Sequence, residues 1–147
     1  MKTKIQIKTV LGSVLFELEK ENNSVKETLE KAVKGDADLR GADLRDADLG
    51  GTDLGYADLG GADLGYADLG NWGKIQSLSD ILQVGAIGSR CGYTTIFHSD
   101  KGVFVQCGCF RGSLEEFETK VKETHRGNKH ERDYLALIQF VKVKFEL

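Results

Sequence analysis

The sequence predicts an α+β chain whose middle winds into a short coil, with a small mixed module on either side. Three observations carry that expectation. From Ala37 to Asn71 one five-residue word recurs seven times: ADLRG, ADLRD, ADLGG, TDLGY, ADLGG, ADLGY and ADLGN. Before it, two alternating segments and one amphipathic segment read as ββα. After it, an alternating hairpin and two amphipathic segments read as a second α+β unit. The boundaries fall at 1–35, 36–71 and 72–147.

Residues 4–19 read as a hairpin. Ile5, Ile7 and Thr9 alternate with polar residues, Leu11-Gly12 makes the turn, and Val14, Phe16 and Leu18 alternate again. Ser24-Val25-Lys26-Glu27 is a capping box, in which Ser and Glu side chains satisfy the first free amides of a helix. Val25, Leu29, Ala32 and Val33 give that helix one apolar face, and Gly35 stops it. The ββα unit runs straight into the first repeat, so its simplest role is to cover the open N-terminal end of the coil.

The repeat follows from local geometry. Ala37 and Leu39 are two apart, so in an extended segment both point one way and Asp38 points the other. Five is odd, and a straight strand would send the next Ala and Leu to the opposite face. All of them share one interior only if the chain turns a corner in the last two positions of each word. Glycine is frequent there because it accepts corner dihedrals closed to other residues. Leu39, Leu44, Leu49, Leu54, Leu59, Leu64 and Leu69 then line the axis. Asp38, Asp43, Asp48, Asp53, Asp58, Asp63 and Asp68 stand outside, and Tyr56 and Tyr66 project from corners.

This word resembles the pentapeptide-repeat family, whose motif is A-(D/N)-L-x-x. The resemblance implies a right-handed quadrilateral β-helix with four repeats per turn, stacking Leu39 on Leu59, Leu44 on Leu64 and Leu49 on Leu69. Seven repeats make fewer than two turns, and such a stub needs caps or a partner. The flanking segments GSVLFELE, VKETLEKAVKGDADL and GYTTIFHSDKGVFVQCGCFRGSLEEFE are similar to those of small bacteriophage and prophage members. That similarity implies a viral protein acting in the cytoplasm of an infected or lysogenic bacterium.

In residues 72–147, Trp72 and Ile75 begin the other cap, and residues 75–88 read as a short strand or helical turn followed by a Gly-rich loop. Tyr93–His98 and Val103–Phe110 form a hairpin around the turn Ser99-Asp100-Lys101-Gly102. Its expected register puts Tyr93, Thr95, Phe97, Val103, Val105, Cys107 and Cys109 on one apolar face. Ser113-Leu114-Glu115-Glu116 is a second capping box. It opens a helix with Leu114, Phe117 and Val121 inward that ends at Gly127. A last helix carries Tyr134, Leu137, Ile138 and Val141, and alternation in Val141–Phe145 suggests a terminal strand.

The charge is distributed unevenly. Residues 36–71 hold nine Asp against two Arg, a net −7, while each flank is about +2. No apolar stretch is long enough to span a bilayer, and MKTKIQIKTV lacks a signal-peptide core, which points to the cytoplasm. The three cysteines are too few for a disulfide scaffold. Cys91, His98, Cys107 and Cys109 follow no common zinc spacing, so buried core thiols are expected and neither metal nor cofactor. No Cys–His nucleophile pair is indicated, and the chain reads as non-enzymatic.

Two readings of function name site residues, beside a third in which the chain is a structural virion or assembly component with no ligand. In the first, the regular carboxylates of the seven repeat Asp residues form an acidic surface that neutralises a host protein. Long-rod members of the family resemble B-DNA and inhibit DNA-handling enzymes such as gyrase. Two layers at about 4.8 Å each make a short rod, which end-to-end dimerisation would lengthen, and Tyr56 and Tyr66, on opposite sides of the coil, are the expected oligomer contacts. In the second, the repeat is an assembly scaffold for a homo-oligomer. The basic C-terminal module then sequesters a small anion such as a nucleotide immune signal through Arg90, Tyr93, Arg111, His125 and Arg126, with Tyr93 or Trp72 stacking on the base. Neither reading involves a membrane or direct binding to nucleic acid.

Overall fold

A computed structural model of the chain describes residues 1–55, 57–77, 80–88 and 92–147. Among these the fold is α+β, with three helices and two antiparallel sheets. The first sheet pairs β1 (Lys2–Lys8) with β2 (Val14–Glu21), setting Ile5 opposite Leu18 and Ile7 opposite Phe16. Helix α1 (Val25–Lys34) follows, its first turn capped by Ser24 Oγ, which accepts from the Glu27 amide at 3.1 Å. The expected reciprocal half of the capping box is replaced. Glu27 pairs with Lys20 of β2, and Asn23 Oδ1 accepts the Ser24 amide at 2.9 Å. Leu29 and Ala32 are fully buried against the repeat leucines, and Ile7 joins them.

The repeat segment stacks on itself every twenty residues. The Asp63 amide donates to the Ala42 carbonyl at 2.9 Å, and the Leu44 amide donates to the Asp63 carbonyl at 2.8 Å. Asp68 repeats the pattern with Ala47 and Leu49 at 2.9 and 2.8 Å. The second and third words thus offer an Ala carbonyl and a Leu amide to the Asp peptide four words later. All seven leucines are at most 6% exposed, which puts them on one shared interior as the five-residue spacing requires. The corner lies at the fifth position. Gly41, Asp46, Gly51, Gly61 and Tyr66 take φ between 59° and 74°, a left-handed conformation that costs a non-glycine residue about 1–2 kcal/mol.

Both margins of this stack are occupied. On one side the Asp43 amide donates to the Lys8 carbonyl at 2.7 Å and the Val10 amide to the Gly41 carbonyl at 3.1 Å. On the other, two side chains stand where further repeats would. Gln106 Oε1 accepts from the Leu54 amide at 2.8 Å while its Nε2 donates to the Thr52 carbonyl at 3.0 Å. Gln83 does the same for Leu59 and Ala57, at 2.8 and 2.7 Å. A carboxamide carries the same donor and acceptor as a peptide unit. These two glutamines therefore supply the bonds that Asp63 and Asp68 supply elsewhere. The Leu69 amide and Ala67 carbonyl bond to Gly73 and Ile75. End-to-end stacking through these edges has no free backbone groups at the positions named.

The glutamines come from the second sheet, ordered β3 (Ile81–Ile87), β4 (Gly92–Ser99), β5 (Gly102–Cys107) and β6 (Phe110–Ser113). Half of residues 75–88 is therefore strand, and Gly85–Ile87 of the expected Gly-rich loop belong to β3. The expected face of the hairpin is wrong by one residue. Its two-residue turn pairs Ser99 with Gly102, so partners have opposite parity: Ile96 faces Val105 and Phe97 faces Phe104. Ile96, Val103 and Val105 pack on the helices, while Phe97 and the two glutamines face the repeat. The second arm also breaks at Gly108 (φ 57°), so Cys107 pairs with Phe110 across a turn. That turn leaves Cys109 exposed rather than buried, and Cys107 half-buried.

Helix α2 (Leu114–Thr124) has the full capping box expected of Ser113 and Glu116, and it buries Leu114, Phe117 and Val121. It ends at His125, two residues before Gly127. Helix α3 (Lys129–Lys144) buries Tyr134, Leu137, Ile138 and Val141. It runs through the segment expected to become a strand. Val141 extends the buried face by a turn, and the Leu147 amide closes the end on the Lys142 carbonyl at 2.8 Å.

Replacing Gln106 by Leu keeps the bulk but strips two buried backbone groups of partners. The variant is expected to lose about 2–4 kcal/mol in urea unfolding. An unchanged midpoint would refute the peptide-like role of this side chain.

Candidate functional site

Each repeat carboxylate first serves its own corner. One oxygen of Asp38, Asp43, Asp48, Asp53, Asp58, Asp63 and Asp68 accepts the amide two residues on, at 2.8–3.3 Å. Four have further partners. Arg40 clamps Asp38 bidentately at 2.9 and 2.6 Å, and Arg45 clamps Asp43 at 2.8 and 2.7 Å. Asp58 accepts the Tyr93 hydroxyl at 3.1 Å, and Asp63 lies 4.0 Å from Arg45. Asp48, Asp53 and Asp68 keep one carboxylate oxygen without a partner among the described residues. The expected uniform acidic face is thus three such groups on a surface otherwise internally paired. Tyr66 is 62% exposed at its corner. Tyr56 lies outside the described residues.

The C-terminal module contains a half-open cavity of ≈460 Å³ between the sheet and α2. Tyr93 of β4, Arg111 of β6 and His125 after α2 line it together. Arg126 does not line it, and Arg90 and Cys91 lie outside the described residues. The sequence reading missed Lys120 and the aromatic wall of Phe110, Phe117 and Tyr134. Lys120 stands one turn after Phe117 on α2, a helical spacing that could have found it. No carboxylate is among the described lining residues.

The wall is held by its neighbours. Phe117 meets Phe110 at 5.2 Å and Tyr134 edge-on at 5.5 Å, while His125 stacks on Tyr134 at 5.6 Å. Gly88 passes so close to Tyr134 that a β-carbon there would overlap the ring. Arg111 donates to the Gly51 carbonyl at 2.9 Å and lies 4.8 Å above the Trp72 ring. Trp72 itself stacks on Phe104 at 4.9 Å, outside the cavity, and is not available there as a base-stacking ring. The Asp58 carboxylate raises the Tyr93 hydroxyl above the ordinary phenol range. Elsewhere, His98 Nδ1 lies 3.0 Å from Asp80, and Cys107 Sγ accepts from Thr94 at 3.2 Å. Among the described residues no group of three His, Cys, Asp or Glu is placed to hold a metal ion, and no helix is long and apolar enough to cross a membrane.

Two outcomes test the carboxylate roles. Asp53→Ala removes the acceptor for the Gly55 amide, 3.0 Å away, and is expected to cost about 1 kcal/mol. Asp53→Asn, which keeps an acceptor oxygen, restores most of it in thermal unfolding. The Arg40 guanidinium holds the Asp38 carboxyl at about 2, against about 3.9 for an unfolded aspartate. A depressed folded value stabilises above the unfolded one. The Asp38 contribution is therefore full above pH 4, falls between pH 4 and 2, and is lost below that. Arg40→Gln should flatten the decline of melting temperature with acid in that window.

Residues 35–71 match the family model of pentapeptide repeats in eight copies. The matched span begins two residues before the seven words counted from Ala37. No curated protein matches the chain. No solved structure matches it. The twenty-residue stacking, the buried leucines and the family match agree on one conclusion: the central quarter of this chain is a run of pentapeptide repeats, which supports its placement in the pentapeptide-repeat family.

Proposed function

We propose that this is a non-enzymatic binding protein whose C-terminal cavity holds a small, planar, anionic ligand of the nucleotide class. The repeat segment, a short right-handed β-helix of fewer than two turns, serves as its scaffold. The supporting observation is the composition of the ≈460 Å³ cavity: Tyr93, Phe110, Phe117 and Tyr134 beside Lys120, Arg111 and His125, with no carboxylate among the described lining. Aromatic walls suit a base, and cations on an acid-free lining suit a phosphate. Arg111 ties this lining to the repeat through the Gly51 carbonyl, giving the scaffold a part in positioning it.

Holding such a ligand needs affinity and no reacting group. With the viral resemblance of the flanks, the role is sequestration of a host nucleotide signal in the bacterial cytoplasm. The acidic-surface reading retains one specific support. Asp48 and Asp68 are adjacent across a parallel bridge and lack a cationic partner among the described residues, so a basic host protein would meet them first.

Calorimetry with linear and cyclic ribonucleotides tests the cavity. A ligand at a hundred times its dissociation constant stabilises by about 2.7 kcal/mol. Lys120→Ala, at an exposed position, should abolish the shift without altering the unliganded melt. A panel without binding, or binding indifferent to Lys120, would overturn the reading. Loss of host-protein binding in Asp48→Asn/Asp68→Asn would favour the acidic surface instead.

A further inference from the structure

Helix α3 has two apolar faces, and only one is covered. Tyr134, Leu137, Ile138 and Val141 pack inward. On the opposite side Ala136, Phe140 and Val143 follow at intervals of four and three residues and remain exposed, Phe140 at 54% and Val143 at 67%. This spacing is the narrow seam of a two-helix contact rather than the broader stripe of a helix lying on a core. Scattered exposed apolar residues need no explanation, but three in register on one helix do.

Charge decides what covers the seam and in which direction. Asp133 and Lys144 flank it on the same side, near its two ends, since eleven residues bring the helix round by almost whole turns. Asp133 has no ion partner among the described residues. Lys144 makes no ion pair there and lies only over its own Phe145 ring at 5.4 Å. By contrast Lys142, toward α2, is paired with Glu118 at 3.1 Å. A second copy of α3 laid antiparallel sets Asp133 of each chain beside Lys144 of the other, twice by symmetry. It also places each helix N-terminus beside the other's C-terminus, aligning their dipoles favourably. A parallel copy carries the second chain's Asp133 and Lys144 to the other flank of the seam, so the two Asp133–Lys144 pairs do not form.

We propose that the outer face of α3 is the contact with a second copy of this chain, antiparallel, through Ala136, Phe140 and Val143. The contact is independent of the proposed ligand. It backs the helix that carries Tyr134, so both copies brace a cavity wall on the face away from the ligand.

Light scattering after size exclusion tests it. The wild type is expected at twice the 16.2 kDa chain mass. Phe140→Glu with Val143→Glu should run as a monomer with an unchanged circular dichroism spectrum. Should that pair misfold, the charge variants carry the test alone. Asp133→Lys should weaken the dimer by about tenfold, and adding Lys144→Asp to the same chain should restore it. A monomeric wild type, a dimer that survives Phe140→Glu/Val143→Glu, or a charge swap that fails to restore association would each overturn the proposal.

Discussion

The Ala or Thr carbonyl and the Leu amide that the repeats leave on their margin impose the main constraint on this chain. Between stacked repeats the Asp peptide of the next layer meets them. Where the layer runs out, something else must, because a buried backbone group without a partner costs about 1–3 kcal/mol. Gln83 and Gln106 solve this with side-chain amides, and the rest of the C-terminal module follows from holding them. Strands β3 and β5, each antiparallel to β4, set the glutamines at the right places, and the opposite face of the same sheet requires α2 and α3 to cover it.

The repeat was legible in the sequence because its logic is local. Odd spacing, paired aliphatic residues and small corner residues leave one way to bury every leucine, and the leucines are buried. The capping boxes of α1 and α2 were legible for the same reason, although Lys20 drew Glu27 away from the first. The hairpin face was not. A one-residue difference in turn geometry exchanges every side chain between faces. Only the pairing of Ser99 with Gly102 reveals that Gln106 looks toward the repeat and Val105 toward the helices. The end of α3 misled because Val141, Val143 and Phe145 alternate as in a strand, although on the helix only Val141 and Phe145 turn to the core and Val143 lies on the outer face.

The site divides along the same line. Tyr93, Arg111 and His125 are residue types whose chemistry could be named in advance, and they meet at one cavity. Lys120 and the aromatic wall depend on how α2 and α3 lie on the sheet, a long-range result. The aspartates show the converse. Their periodicity suggested a surface for others, yet each first closes its own corner, and an Arg two residues on neutralises Asp38 and Asp43. Regular charge can be the by-product of a regular turn.

The glutamine bonds also count the repeats. Open arrays lengthen or shorten one unit at a time at small cost. Here the amides of β3 and β5 are addressed to the fourth and fifth words alone, and α1 is addressed to the first. Gaining or losing five residues would break the twenty-residue interval of the stacking bonds and leave both amides against the wrong neighbours. Only a change of twenty residues keeps that interval, so the length of this segment is set in steps of four words.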